Sequence, residues 1–307
     1  MLQMENNDKY PYDKCIDTVI PEIFANITKI GDIIDRLSNM EKIENNDKKT
    51  YDKYGYIVFR ELIAENKIKE INDIIDKLST SLKISDTVFD ESGTGKIKQI
   101  QYLEQYDKIF VDLIEDLRPI AETLIGDTDI KVLNMQLFEK HPKISKPTRS
   151  HQDNAYFKST PATPLTIWIA LDDIDEENGC VYYAPFTHLT PTRKHQRYHP
   201  HTTFRVRSGV PGLSLCLHEH PDETDLPIIV KKGDVIIHNC NLVHRAAMNN
   251  SENRRRRAIG LVFIPNSCTV DDRLNRYHKD RLKEDIDLQK YKDPILYEKL
   301  LQVYNDL

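Results

Sequence analysis

The chain has no apolar run long enough to cross a bilayer, so no membrane span is expected. Its opening residues, Met1-Leu2-Gln3-Met4-Glu5-Asn6-Asn7-Asp8, lack the basic start and apolar stretch of a signal peptide. The five cysteines (Cys15, Cys180, Cys216, Cys240, Cys268) are odd in number, scattered, and without a Cys-x-x-Cys pair. Neither a disulfide framework nor a zinc knuckle fits that pattern, and reduced thiols in the cytoplasm are the expectation. The sequons at Asn26 and Asn249 carry no weight without secretion. A basic surplus is also missing: the formal charge is −6, the wrong sign for a protein whose main partner is nucleic acid. There is no internal repeat and no low-complexity tract.

What is present suits one large domain with extensions. The 307 residues are 39% hydrophobic and 30% charged, enough to bury an ample core in a soluble protein. Residues 1–50 place Ile16, Ile20, Ile23, Ile27, Ile30, Ile33, Ile34 and Leu37 at helical spacing, predicting a helical N-terminal extension. That extension packs on the core or forms a dimer contact, so the chain is a monomer or a homodimer. Tyr56–Phe59 reads as a strand, Ala64–Leu78 as a helix, and Ser79–Gly95 as a mobile polar loop. Asp107–Gly126 reads as a second helix, closed by Gly126 and kinked or split at Pro119. Beyond it the period falls to two, predicting strands at 130–138, 151–156, 165–172, 180–183, 227–231, 235–238 and 257–264. Helices ahead of many short strands predict a mainly β fold with flanking helices, an antiparallel double-sheet jelly roll whose mouth can hold a metal and a small ligand. Residues 269–307 are charged and predicted helical, with Leu274, Tyr277, Leu282, Tyr297, Leu300, Leu301 and Tyr304 as apolar positions.

Within this frame His151, Asp153 and His244 make a 2-His-1-carboxylate set, which binds Fe(II) on one face and leaves positions open for a cosubstrate and O2. If 151–156 is a strand, alternation turns His151 and Asp153 the same way. After His244, the run Arg254-Arg255-Arg256-Arg257 enters the apolar segment Ala258–Phe263, where an arginine can grip a carboxylate with two parallel hydrogen bonds. Triad and clamp together read as a 2-oxoglutarate-dependent oxygenase. A pair of core histidines beside a loop aspartate is the plainer alternative.

Ordered matches extend over about residues 51–265: Tyr54-Gly55-Tyr56-Ile57-Val58-Phe59-Arg60, Phe138-Glu139-Lys140-His141-Pro142, Ser150–Phe157, Thr166–Asp173, Asn178-Gly179-Cys180, Pro185-Phe186-Thr187-His188, Lys232-Gly233-Asp234-Val235, and His244 with Asn249, Ser251 and Arg256-Arg257-Ala258. In these the chain resembles the phytanoyl-CoA dioxygenase family. The resemblance implies a double-stranded β-helix (jelly-roll or cupin-like) core over 51–268, with Fe(II), 2-oxoglutarate and O2 as cofactor and cosubstrates. Phe186 departs from it, standing where a small glycine is usual. The segment from Asn249 to Ala258 is one residue long by comparison, so counting back from Ala258 makes Arg256 the clamp and counting forward from His244 makes it Arg255.

By the same resemblance Trp168, Gln152, Lys98, Gln136 and Ser251 match cosubstrate-site positions, with Trp168 equally readable as a core aromatic. Asn249 shapes the turn, and His238 is either an inward group near His244 or ordinary packing. Related oxygenases that halogenate lack the carboxylate, so Asp153 argues for hydroxylation or a similar oxidation. Residues 189–226 form an insertion where the family places a lid, rich in His195, His199, His201, His218 and His220 and in Arg193, Arg197, Arg205 and Arg207. Such a lid suits an anionic or carrier-tethered small molecule; a second metal site there has no recognisable ligand spacing. The expectation is an Fe(II)- and 2-oxoglutarate-dependent dioxygenase hydroxylating an unactivated C–H bond. The alternative is a non-catalytic metal-binding jelly roll with a regulatory or binding role.

Overall fold

The segment Leu165–Ala170 is buried at every residue, and its alternation divides it between two environments. Leu165, Ile167 and Ile169 join one apolar cluster, and Trp168 and Ala170 join another. A strand with side chains buried on both faces must run between two layers. The computed structural model describes residues 45–85, 87–91, 94–197, 213–215, 225–270, 283, 287, 290 and 292–303.

In chain order the strands are β1 (Tyr56–Phe59), β2 (Val88–Asp90), β3 (Ile97–Gln101), β4 (Ile130–Lys140), β5 (Thr148–His151), β6 (Leu165–Ala170), β7 (Val181–Tyr183), β8 (Gln196–Arg197), β9 (Leu213–Ser214), β10 (Leu226–Ile228), β11 (Val235–Asn239), β12 (His244–Ala246) and β13 (Arg256–Pro265). The larger antiparallel sheet has the order β1-β11-β6-β13-β4-β3-β2 and the smaller one β10-β7-β12-β5. Successive strands from β4 to β7, and again from β10 to β13, alternate between the two sheets. That is the double-stranded β-helix expected from the sequence.

The helices are α1 (Asn45–Tyr54), α2 (Glu65–Ser81), α3 (Lys108–Ile125), α4 (Asn154–Phe157) and α5 (Pro294–Val303). Ile68, Ile71 and Ile75 of α2, Phe110, Leu113 and Leu117 of α3, and Leu296 and Leu300 of α5 share one cluster with Ile167, Ile169, Ile259 and Leu261. Helices therefore cover the outer face of the larger sheet, and its inner face looks toward the smaller sheet.

Several sequence expectations change. Helix α3 starts at its Asp107 cap, whose Oδ1 accepts from the Ile109 amide at 2.9 Å, and ends at Gly126 with φ +81°. It runs unbroken through Pro119. Proline removes a donor to the Glu115 carbonyl, but Glu115 and Pro119 are both exposed, so water can satisfy that carbonyl. The expected loop 79–95 contains the end of α2 and the strand β2. Strand β3 was not expected, because it carries a bulge at Lys98, opposite Phe89/Asp90, that breaks its period-2 pattern. The predicted strand 151–156 ends at His151, and Asn154–Phe157 is one turn of helix. Helix α1 runs across the expected boundary at residue 50. Residues 1–44 lie outside the described residues, as do Leu274, Tyr277, Leu282 and Tyr304.

Phe186 adopts φ +69°, the left-handed region that explains why a glycine is usual there. A side chain in that region costs about 1–2 kcal/mol, and the ring packs against Tyr54 at a centroid distance of 5.3 Å. On the inner face of β13, a Cβ on Gly260 would lie 2.9 Å from Phe138 Cε2. Gly260→Ala is therefore expected to push Phe138 into the space between the sheets and destabilise the fold by about 1–3 kcal/mol. Thermal unfolding would read this as a lower Tm, and an unchanged Tm would show that Phe138 moves aside freely.

Candidate metal centre

The inner face of the larger sheet can be followed row by row from the strand register. One row crosses Tyr56, His238, Thr166 and Val262, and the next crosses Ile236, Trp168 and Gly260. Facing the first row, β5 and β12 of the smaller sheet place His151 and His244 directly opposite each other as register partners. Their rings stand 4.2 Å apart between centroids. Asp153 follows at the start of α4, with φ −58° and ψ −34°. A helical turn, rather than strand alternation, thus returns its carboxylate to the histidines. Asp153 Oδ1 lies 3.6 Å from both His151 Nε2 and His244 Nε2, and the three donor atoms all fall within 4.8 Å of one another.

The donor chemistry fits a divalent transition metal. His151 Nδ1 lies 2.8 Å from the Arg149 carbonyl and His244 Nδ1 lies 3.0 Å from the Leu242 carbonyl. A carbonyl accepts only, so each Nδ1 carries the proton and each Nε2 presents its lone pair. Burial, with His151 adjacent, pushes His244 down to about 3, which keeps it neutral and able to ligate. Burial works against the charge on Asp153, but its histidine neighbours, His238 Nε2 at 3.2 Å from Oδ2 among them, outweigh it and hold the carboxyl well below its usual range.

Arg256 opens β13 opposite Lys140 and is only 4% exposed. Its Nε has no hydrogen-bond partner, and its guanidinium carbon lies 5.7 Å from the Trp168 ring centroid. Burial pushes its guanidinium down to about 10. The other three arginines are satisfied by acids outside the barrel. Arg254 pairs with Asp175 and Glu177, Arg255 with Glu139 and Asp76, and Arg257 with Asp172. Arg255 and Arg256 point to opposite sides, as alternation requires.

Lys140, which the sequence reading did not single out, is buried near Arg256. Burial and the Arg256 charge hold its ammonium well below the usual range, and Nζ donates to the Lys146 carbonyl at 2.6 Å. Lys98 is also shifted down by burial, against the pull of Glu91 and Asp90, and is close enough to act on Lys140. Gln136 lies on the inner face, accepting from Gln99 Nε2 at 2.6 Å.

Two expected cosubstrate residues are hydrogen-bonded to other parts of the chain. Gln152 is fully buried, its Nε2 donating to the Asn241 carbonyl at 2.6 Å and its Oε1 accepting from the Arg193 amide at 2.8 Å. Both ends of its amide bond to backbone, so it pins the start of the insertion to the metal strand. Ser251 donates to Asn249 Oδ1 at 2.6 Å and to the Arg254 carbonyl at 2.9 Å. It shapes the turn before β13 together with Asn249.

Thr166 and Tyr183 were missed. Thr166 Oγ1 donates to Asp153 Oδ2 at 2.8 Å, and the Tyr183 hydroxyl lies 2.8 Å from His238 Nδ1. Alternation alone would have turned Thr166 inward with Trp168. Nothing local marks Tyr183.

The insertion begins at the site. The Gln152 amide donates to His195 Nε2 at 2.9 Å, and Thr192 bonds both Asn154 and Asn241. Strands β8 and β9 then pair as a ribbon. His199, His201, His218, His220, Arg205 and Arg207 lie outside the described residues.

A double-stranded β-helix that brings two imidazoles and one carboxylate together, beside a buried arginine whose Nε has no hydrogen-bond partner, belongs to the class of non-haem iron oxygenases. Residues 51–258 match the family model described as Phytanoyl-CoA dioxygenase (PhyH). The chain belongs to that family of Fe(II)- and 2-oxoglutarate-dependent oxygenases, and it uses iron, 2-oxoglutarate and O2. It is 23% identical over 260 residues to the peroxisomal phytanoyl-CoA dioxygenase of Bos taurus, covering 78% of this chain and 73% of the relative. It is 31% identical over 126 residues to a phytanoyl-CoA dioxygenase domain-containing protein 1 homolog of Dictyostelium discoideum, covering 41% and 43%. Among solved structures, EvdO2 from Micromonospora carbonacea var. aurantiaca superposes with a TM-score of 0.63 at 21% identity, covering 77% of this chain and 96% of that one. SnoK, a carbocyclase from nogalamycin biosynthesis, superposes with a TM-score of 0.59 at 23% identity, covering 78% and 93%. No helix among the described residues is long and apolar enough to cross a membrane.

Proposed function

We propose that the protein hydroxylates, or otherwise oxidises, an unactivated C–H bond of a small organic molecule. In hydroxylation, one atom of O2 would enter the product and the other would enter succinate as 2-oxoglutarate loses CO2. Bound iron supplies the activation of O2 that couples these two oxidations. His151 and His244 would hold it through Nε2 and Asp153 through Oδ1.

The observation that carries the reading is Arg256, a buried cation with an unpartnered Nε over Trp168. An isolated buried charge is costly unless a partner arrives, and a ligand carboxylate is such a partner. Its position matches the length of the cosubstrate. Thr166 marks the level of Asp153, and Trp168, under the guanidinium, is two residues along the same strand, about 7 Å away at strand rise. A five-carbon dicarboxylate held at the metal by one end would reach the guanidinium with the other, along the wall formed by Trp168. Lys140 lies opposite Arg256 at that end with Lys98 close by, and Gln136 lies on the same face.

Asp153 fills the position that a halide would need, which supports oxygen insertion over halogenation. The free thiols Cys180, Cys240 and Cys268 support the reducing, cytoplasmic setting expected from the sequence. The test is to supply Fe(II), 2-oxoglutarate and O2 and to measure succinate, then to screen candidate metabolites by mass for a product one oxygen heavier. Uncoupled succinate formation is expected without any substrate. If no succinate forms with the iron loaded, the catalytic reading fails.

A further inference from the structure

Three histidines, not two, crowd the metal carboxylate, and their hydrogen bonds sort them. His238 Nε2 lies 3.2 Å from Asp153 Oδ2, the oxygen that also accepts from Thr166 Oγ1 at 2.8 Å. An ionised carboxylate only accepts, so His238 Nε2 must carry a proton. Its Nδ1 lies 2.8 Å from the hydroxyl of Tyr183, which is fully buried. A buried hydroxyl needs an acceptor, and the Nδ1 lone pair of a neutral imidazole is the one at hand. His238 is therefore the opposite tautomer from His151 and His244, with its lone pair turned away from the metal position.

We infer that Tyr183, His238 and Thr166 form a positioning relay that holds Asp153 as a single-oxygen ligand. Tyr183 fixes the tautomer of His238, and the His238 N–H and Thr166 O–H together occupy Oδ2. Oδ1 alone then faces the two Nε2 atoms. A carboxylate free to swing could offer both oxygens and take a position needed by the cosubstrates. The relay also joins the sheets, since Tyr183 stands on β7 and His238 and Thr166 stand on β11 and β6. Tyr56 stacks on Tyr183 at 5.0 Å between centroids and keeps the phenol in place. None of the three touches the reacting atoms; they act through Asp153.

This inference rests on the iron-binding reading, and cobalt(II) binding to the full-length protein tests both separately. The visible absorption of cobalt reports coordination, and titration reports affinity without turnover. His238→Leu, which removes the N–H, is expected to weaken cobalt binding about 10- to 100-fold and to shift the absorption bands. His238→Gln, which can place an N–H near the same point, should stay within about threefold of the parent. Thr166→Val, nearly isosteric, should lose several-fold and serves as the test if His238→Leu does not fold. The relay is refuted if His238→Leu and Thr166→Val bind cobalt like the parent with unshifted bands. It is equally refuted if His238→Gln is as weak as His238→Leu, because ring packing rather than the N–H would then be responsible. A parent protein that takes up no cobalt would refute the metal centre itself.

Discussion

Replacing Arg256 by Ala should raise the Michaelis constant for 2-oxoglutarate at least tenfold, because a charge-assisted contact worth about 2–5 kcal/mol is lost. Arg256→Lys keeps the charge but not the two-pronged geometry and should fall between. The same change should leave the cosubstrate-free protein no less stable, since it removes a buried cation whose Nε is unpaired. Arg255→Ala should behave oppositely. Glu139, its partner, is buried, and stranding a buried acceptor costs about 1–3 kcal/mol, so Tm should fall. Its Michaelis constant should stay within about twofold, because it points away from the barrel. Steady-state kinetics and thermal melts on the two variants give this crossed pattern or its reverse. The reverse would move the clamp to Arg255.

His151→Ala, Asp153→Ala and His244→Ala should each abolish succinate formation and weaken Fe(II) binding by more than about a hundredfold, because three protein ligands leave no spare. All three lie at the mouth of the barrel rather than in the apolar cluster under the helices, so each variant should keep a native circular dichroism spectrum. Iron titration followed by the succinate assay decides. Two variants retaining near-parental affinity would mean that these residues are not the ligands.

The triad was legible because residue identity carries it: His, Asp and His remain recognisable whatever the backbone does between them. The reason given for Asp153 was not legible. Period-2 alternation predicted a strand to residue 156, whereas the chain turns into α4 after His151 and Asn154 Oδ1 closes the turn by accepting from the Ser159 amide at 2.9 Å. A four-residue helix is too short to leave a period in the sequence. Strand β3 was hidden for a related reason. Gln99 and Gln101 face the polar inner space, Ile100 faces the helices, and the bulge at Lys98 removes the remaining rhythm. The choice between Arg255 and Arg256 could not be read by counting, since it depends on where β13 begins. Gln152 was expected at the cosubstrate by family resemblance alone, and its amide bonds to segments remote in sequence, at Arg193 and Asn241.

Strand β5, which carries His151, is the last strand of the smaller sheet, so only one of its edges is paired with β12. The returning arm of the insertion meets the other edge: the Leu215 amide donates to the Ser150 carbonyl at 2.8 Å. Leu215 is buried with Val243, next to His244. One short segment therefore rests against the chain neighbours of both imidazole ligands. Any free energy that metal binding gains from a well-placed His151 and His244 is shared with the docking of that arm. Linkage then runs both ways: whatever substrate holds the arm down must tighten the metal, and the metal must tighten that substrate by the same factor.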